Sequence, residues 1–269
     1  MEARILKAVY EGLDKGEVVA LATITDMKGS TPRDRGSMMA IWADGRNIGS
    51  VGGGNIEFAV IEKAKACIEA LKDEEVKYDL TDEGDLHMQC GGKATVFIKV
   101  FKPQPKMIIA GAGHVGIELY KIAKQMNFYT VVLDDREEFA NAERFPEADE
   151  IIVGNIGEQM AAYPVTANTY IIIVTRGHAS DGEALKAVAE TEAKYIGMIG
   201  SKKKTEFLMK KLLDEGVSRQ ALEKVYAPVG LDISSEEPNE IALGIVAEML
   251  LIKNEGSLKH LREIKKINF

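Results

Sequence analysis

The sequence predicts an α/β protein with a C-terminal parallel sheet that carries helices on both faces, and a smaller N-terminal α/β domain. From residue 106 onward, short apolar segments alternate with helical patterns, and a glycine-rich turn joins the first strand to the first helix. A polar segment with two prolines, 102–105, precedes this part of the chain. We therefore predict an N-terminal domain at 1–102, a Rossmann-type domain at 106–254 and a C-terminal tail at 255–269.

The N-terminal domain is predicted to begin with an amphipathic helix, because its apolar residues recur at helical spacing. Strands are predicted at 17–25, 37–42 and 93–101. A long helix follows the glycine-rich loop 49–54, and Glu57 in its first turn is predicted to cap it.

The C-terminal domain repeats the order strand, helix, strand, which predicts a parallel sheet buried on both faces. Strands are predicted at 106–110, 129–133, 150–153, 170–174 and 194–198, and helices at 115–125, 182–190 and 202–213, with a closing helix that begins at Pro238.

Composition excludes several classes of function. The formal net charge of −8 argues against nucleic-acid binding, and the longest apolar segments are far shorter than the ~20 residues that span a bilayer. Cys67 and Cys90 form neither a disulfide framework nor a paired metal-ligand spacing, so no metal site is predicted. Since no export signal is seen, we expect a cytoplasmic protein.

The turn after the first C-terminal strand is predicted to bind an anion. Gly111, Gly113 and Gly116 form a GxGxxG pattern whose main chain and following helix start suit a phosphate or diphosphate. About 20 residues further on, Asp134 stands where an acid holds a ribose hydroxyl, whereas Arg136 beside it favours an additional phosphate. The residues leave the identity of the cofactor open.

Further polar residues follow other predicted strands. His114 and His178, with Asp181, are expected to face one cleft, where an imidazole serves as acid, base or ligand. Gly200 and Ser201 form a second glycine turn, with Ser201 as a helix cap and anion donor. Because no clear set of nucleophile, base and orienting residue is present, whether the protein is an enzyme stays open.

Seven motifs occur along the chain: GSTPR at 29–33, GSVGGGNIE at 49–57, CGG at 90–92, GAGHVG at 111–116, HASD at 178–181, YIGMIGSK at 195–202 and APVGLDI at 227–233. In their order and spacing they closely resemble the xanthine dehydrogenase accessory factor family, the XdhC/CoxI proteins. The resemblance extends over nearly the whole chain, up to about Leu251.

The resemblance implies a maturation factor that binds the molybdenum cofactor, of the molybdopterin type, as cargo. Such a protein protects the cofactor while it gains its terminal sulfido ligand, and delivers it to an apo molybdenum hydroxylase such as xanthine dehydrogenase. A cysteine desulfurase is the implied sulfur source, and we expect a homodimer. Ser30, Arg33, Gly52, Gly53 and Gly54 are then predicted to bind the cofactor together with the C-terminal glycine turns.

One position departs from the family pattern. Many members carry a cysteine where this chain has Asn55, and a thiolate is a better soft-metal ligand than an amide. Cys90 becomes the candidate for contact with sulfur or metal, whereas Cys67 is expected in the core.

Two other functions remain open. An NAD(P)-dependent oxidoreductase would use the GxGxxG turn and Asp134, with His178 as proton donor. A nucleotide-sensing regulatory protein would bind its ligand in the same domain and engage a partner through residues 257–269.

Overall fold

The computed structural model describes residues 1–29, 33–81, 92–233 and 236–265, and of His178 only the main chain. The chain forms two compact units, Met1–Pro103 and Gln104–Phe269. Ser30 and Cys90 lie outside the described residues, so their predicted contacts stay predictions.

The N-terminal unit is an antiparallel sheet with a helix on each face. The strand order is β3-β2-β1-β5-β4. The second helix packs on one face through Ile56, Val60 and Ala64, and the first packs on the other through Ile5 and Val9. Its elements are α1 Glu2–Asp14, β1 Val19–Lys28, β2 Met38–Trp42, β3 Asn47–Gly49, α2 Gly54–Ala70, β4 Glu74–Asp79 and β5 Lys93–Phe101.

Two of these strands, β3 and β4, were not predicted from the sequence. Both lie at edges of the sheet, and half of β4 is exposed, with charged residues at Glu74, Glu75, Lys77 and Asp79. Ile48 is the only apolar side chain of β3, and in β4 the apolar alternation is limited to Val76 and Tyr78, which is too short to predict a strand. Pairing with β5 determines the conformation of β4, and pairing with β2 determines that of β3.

The C-terminal unit contains a five-stranded parallel sheet, as predicted. Its strand order is β10-β9-β6-β7-β8, so the chain reverses direction across the sheet between β6 and β9. The elements are β6 Lys106–Ala110, α3 His114–Gln125, β7 Tyr129–Asp134, β8 Glu150–Val153, α4 Ile156–Ala162, β9 Thr169–Ile173, α5 His178–Val188, β10 Tyr195–Met198, α6 Lys202–Asp214, α7 Arg219–Leu222, α8 Pro238–Lys253 and α9 Leu261–Ile264.

Helices cover both faces of this sheet, which confirms the predicted fold class. One core contains Ile108 and Ile171 from the strands, packed against α4, α5, α6 and α7. The other contains Ile109 and Ile172, packed against α3 and α8. Because neighbouring strand residues alternate between these cores, β6, β7, β9 and β10 are buried on both faces and appear as continuous apolar segments. The edge strand β8 is only partly covered.

Beyond α8 the described chain carries exposed apolar side chains at Leu258, Leu261 and Ile264. Only the single turn α9 is helical there. Within the residues that the structure describes, no helix has the length and hydropathy to cross a bilayer.

Candidate functional site

The turn between β6 and α3 places its three glycines in three different environments. A Cβ on Gly111, whose φ is +120°, would overlap the Val174 carbonyl, and one on Gly116 would overlap the Gly111 carbonyl. A Cβ on Gly113 would have no atom within 4 Å. The first and third glycines therefore allow close packing of the main chain, and the second faces open space at the sheet's switch point.

The main-chain amides of this turn also differ in whether they have an acceptor. Gly111 donates to the Leu133 carbonyl, and Ala112 donates to an oxygen of Asp134 at 2.8 Å. The next amides, of Gly113 and His114, have no acceptor in the described part of the chain, and His114 itself is exposed. Two donors and the positive end of the α3 dipole are thus directed at the open space.

Asp134 is 2% exposed and has its partners within the protein. Its oxygens accept four hydrogen bonds, one from the Ala112 amide and three from the main chain and guanidinium of Arg136. Burial alone would raise the pKa of Asp134, but the bonds from Arg136 and Ala112 outweigh it and hold this pKa below its usual value. A ribose hydroxyl would have to displace one of these donors.

An arginine that the sequence pattern did not single out also contacts the turn. Arg144 donates from Nη2 to the Ala112 carbonyl at 3.1 Å, and its guanidinium lies over the Phe139 ring, 4.9 Å from the centroid. Arg136 lies over the same ring at 3.7 Å. Arg144 carried no motif signal, since its contact with Ala112 spans 32 positions of the chain.

The loop after β9 forms the other side of the switch point. Asp181 in the first turn of α5 is fully buried, accepts from the Thr175 hydroxyl at 2.6 Å and pairs with Lys204 at 2.6 Å. Asp181 is therefore a buried structural anchor of this loop. His178 begins α5, but a meeting of its side chain with His114 lies outside what the structure describes.

At the second glycine turn, Ser201 caps α6, as predicted: its hydroxyl oxygen accepts from the Lys204 amide at 3.4 Å. A Cβ on Gly200 would lie 3.1 Å from Lys204 Cδ, so the lysine stem folds across the turn. Among the three lysines that begin α6, Lys204 is distinguished by its ion pair with the buried Asp181.

In the N-terminal unit, the glycine-rich loop before α2 is closed by an acid of the same chain. One oxygen of Glu57 accepts from the Gly53 amide and the Ser50 hydroxyl, both at 2.8 Å. The Gly52 amide donates to Ser50 Oγ at 3.3 Å. The predicted capping role of Glu57 is confirmed, whereas Gly54 and Asn55 are exposed at the helix start.

A cavity of about 510 Å³ lies beside this loop. Arg33, from the GSTPR motif, and Ser50, from the glycine-rich motif, both line it. Arg4 of α1 lines it as well, which no sequence pattern predicted. Two guanidinium groups, against the one carboxylate of Glu2 in the lining, suit an anionic ligand.

The described thiol is a poor candidate for chemistry. Cys67 is 3% exposed in the α2 core, as expected. Burial, reinforced by the neighbouring Glu74 carboxylate, raises the pKa of the Cys67 thiol. A protonated, buried thiol is a weak nucleophile and metal ligand.

Two family models match the chain. The model described as XdhC Rossmann domain covers residues 107–249, and the model described as XdhC and CoxI family covers residues 13–79. Together they match parts of both units of the structure.

Three relatives have similar sequences. YqeB, an uncharacterized protein of Escherichia coli, is 32% identical over 88% of this chain, which spans 44% of YqeB. A Bacillus subtilis protein described as a probable xanthine dehydrogenase subunit is 23% identical over 88% of the chain and 94% of the relative. The molybdenum cofactor insertion chaperone PaoD of Escherichia coli is 22% identical over 93% of the chain and 88% of the relative.

A solved structure has a similar fold. The crystal structure of a xanthine dehydrogenase from Bacillus halodurans matches with a TM-score of 0.52 and 24% identity, over 93% of this chain and 96% of that chain. At this identity the match supports the fold alone.

Proposed function

The chain belongs to the XdhC and CoxI family, and on this basis we propose that it is a maturation factor that binds the molybdenum cofactor and inserts it into a molybdenum hydroxylase. The relatives described as a xanthine dehydrogenase subunit and as a molybdenum cofactor insertion chaperone support this role. The cofactor is cargo, which the protein holds and releases.

The observation that carries the proposal is the open side of the turn at Gly113. The free amides of Gly113 and His114 lie at the start of α3, where the terminal phosphate of molybdopterin would be held. Arg144, which donates to the adjacent Ala112 carbonyl, adds a positive charge beside them. Such an anion site is suited to hold the phosphate of a carried cofactor.

The N-terminal cavity is proposed as an anion site of its own unit. Arg4 and Arg33 suit a phosphate or an oxo-anion, and Ser50 supplies a hydroxyl at the edge of the glycine-rich loop. In this view the predicted contacts of Gly52 and Gly53 are indirect, because Ser50 and Glu57 accept from their amides.

Sulfuration and delivery form the finer part of the proposal. An apo hydroxylase such as xanthine dehydrogenase receives the cofactor, a cysteine desulfurase supplies the sulfur, and the protein acts as a cytoplasmic homodimer. Because Asn55 replaces a family cysteine and Cys67 is buried, Cys90 is the thiol proposed to contact sulfur or metal.

The test is retention of molybdopterin through gel filtration. Gly113→Val places in the open space a side chain whose Cβ meets no atom within 4 Å, so we expect loss of retention, more than about tenfold, at nearly unchanged thermal stability. Ala161→Val on the exposed face of α4 is the size-matched control and should retain the ligand. Equal retention by both variants would refute this placement, and retention of NADPH in place of molybdopterin would favour the nucleotide-dependent alternatives.

A further inference from the structure

The start of α6 contains a buried hydroxyl that the protein itself does not use. Thr205, the fourth residue of this 13-residue helix, is 6% exposed, and its Oγ1 has no hydrogen-bond partner in the described chain. The hydroxyl is directed at the second glycine turn: a Cβ on Gly200 would lie 3.4 Å from it. Buried polar groups are nearly always satisfied, so a donor left over beside a glycine turn indicates a missing acceptor.

Main-chain donors lie at the same place. The amides of Lys202 and Lys203, the first two of α6, find no acceptor among the residues that the structure describes. The side chain of Ser201 accepts from the Lys204 amide, which leaves its own hydroxyl proton to donate outward. Together with Thr205 these groups are donors at one helix start, and an oxyanion is the complementary ligand.

The three lysines at the start of α6 also favour an anionic ligand. Lys202, Lys203 and Lys204 occupy the first turn of α6, which contains no acid, although the positive end of a helix dipole disfavours cations. Lys204 is 17% exposed and is held by the fully buried Asp181, so its position is determined. One of its three ammonium protons is directed to Asp181, and the others remain for a ligand.

We propose that the start of α6 is a second oxyanion site, which binds a phosphate group through the Lys202 and Lys203 amides, the Ser201 and Thr205 hydroxyls and Lys204 Nζ. The strand before it, β10, is separated from β6 by β9 alone, so the second site lies roughly 10 Å along the sheet edge from the Gly113 turn. The site stands on its own geometry and depends on the proposed function only for the source of the phosphate.

Inorganic phosphate is the probe, titrated against the thermal unfolding of the full chain at ionic strength matched with sodium chloride. The Gly113→Val protein serves as background, because it removes the first turn as a competing site, and any phosphate bound at the N-terminal cavity is common to all variants compared. We expect phosphate to stabilise this protein, and the additional change Thr205→Val to weaken phosphate binding about tenfold. Without phosphate, Thr205→Val should not lower the unfolding temperature, because its hydroxyl has no partner to lose.

Thr191→Val is the matched control, since the Thr191 hydroxyl donates to the Val188 carbonyl at 2.6 Å. It should lower the unfolding temperature equally with and without phosphate. If phosphate fails to stabilise the protein, or stabilises it equally with and without the Thr205 hydroxyl, the site does not exist.

The source of the phosphate is tested by the retention of molybdopterin, through gel filtration, by the single variant Thr205→Val. Reduced retention assigns the site to a second anionic group of the cargo, and unchanged retention with weakened phosphate binding assigns it to a separate phosphate. Both results support the site, and neither depends on Gly113. If molybdopterin is not retained even by the unmodified chain, the proposed function fails while the phosphate titration still tests the site.

Discussion

The glycine-rich loop before α2 and the glycine-rich turn before α3 resemble each other in sequence but differ in what occupies the helix start. Before α2, the Glu57 carboxylate accepts from the Gly53 amide, so an anion of the same chain fills the position. Before α3, the first turn contains no acid, and the amides of Gly113 and His114 face open space. The N-terminal loop is therefore closed, and the C-terminal turn is open to a ligand.

The comparison shows that glycine content does not by itself indicate a binding site. Glycines permit unusual backbone conformations, such as φ of +73° at Gly53, and close approach, as at Gly116. The amides at a helix start remain available to a ligand only where the protein does not supply its own acceptor. At α2 that acceptor lies four residues after Gly53.

The largest effect is expected at the third glycine of the open turn. Gly116→Ala would force a Cβ onto the Gly111 carbonyl, and we expect a loss of about 3 kcal/mol in the free energy of unfolding, because main chain has to move. Gly113→Ala, with no atom nearby, should change it by less than about 0.5 kcal/mol. Urea denaturation of both proteins measures the difference, and equal values would contradict the assigned roles of the two glycines.

A smaller effect is expected where Asp134 holds the open turn to β7. Asp134→Asn removes the charge that binds the Ala112 amide and Arg136, and should lower the free energy of unfolding by about 2 kcal/mol at pH 7. The loss is not larger because Arg136 keeps Asp135 as a partner at 3.6 Å. Urea denaturation measures it. A neutral result would mean that the turn keeps its shape without this carboxylate.

The same pair of proteins tests the pKa of Asp134. Because this pKa is lowered in the folded state, the stabilising contribution of the carboxylate is complete above its unfolded-state pKa of about 3.9 and disappears as the pH falls through the folded-state pKa. The stability difference between the unmodified chain and Asp134→Asn should therefore be constant from about pH 7 to about pH 5 and shrink below about pH 4. A difference that grows on acidification would show the opposite shift.

The smallest effect is expected when the closed loop is opened. Glu57→Gln removes the charge from the Gly53 amide and should cost about 1 kcal/mol, measured by thermal unfolding. Added phosphate should then stabilise the variant more than the unmodified chain, because the helix start has lost its own anion. Glu62→Gln on the same helix, whose carboxylate pairs only with Lys65 among the described contacts, is the control and should leave the response to phosphate unchanged. Equal phosphate responses of Glu57→Gln and the unmodified chain would show that Glu57 does not exclude anions.

Much of the fold was predictable because its signals are local. The strands of the parallel sheet are short apolar segments, and α8 begins at Pro238, as predicted from proline's preference for the first turn of a helix. The edge strands β3 and β4 and the short helix α4 were missed, because each contributes only one or two apolar side chains to its core, too few for a local pattern. For the site, the sequence identified the glycine turns and Ser201 but not Arg4, Arg144 or Thr205.

The sequence by itself determined the fold class, the family and the positions of the glycine-rich turns, since each depends on residues close together in the chain. Only the tertiary structure decided which amides remain open. Asp134 reaches Ala112 across 22 positions, and Lys204 reaches Asp181 across 23. Hydrogen bonds between residues so far apart depend on how strands and helices pack, and no local pattern encodes them.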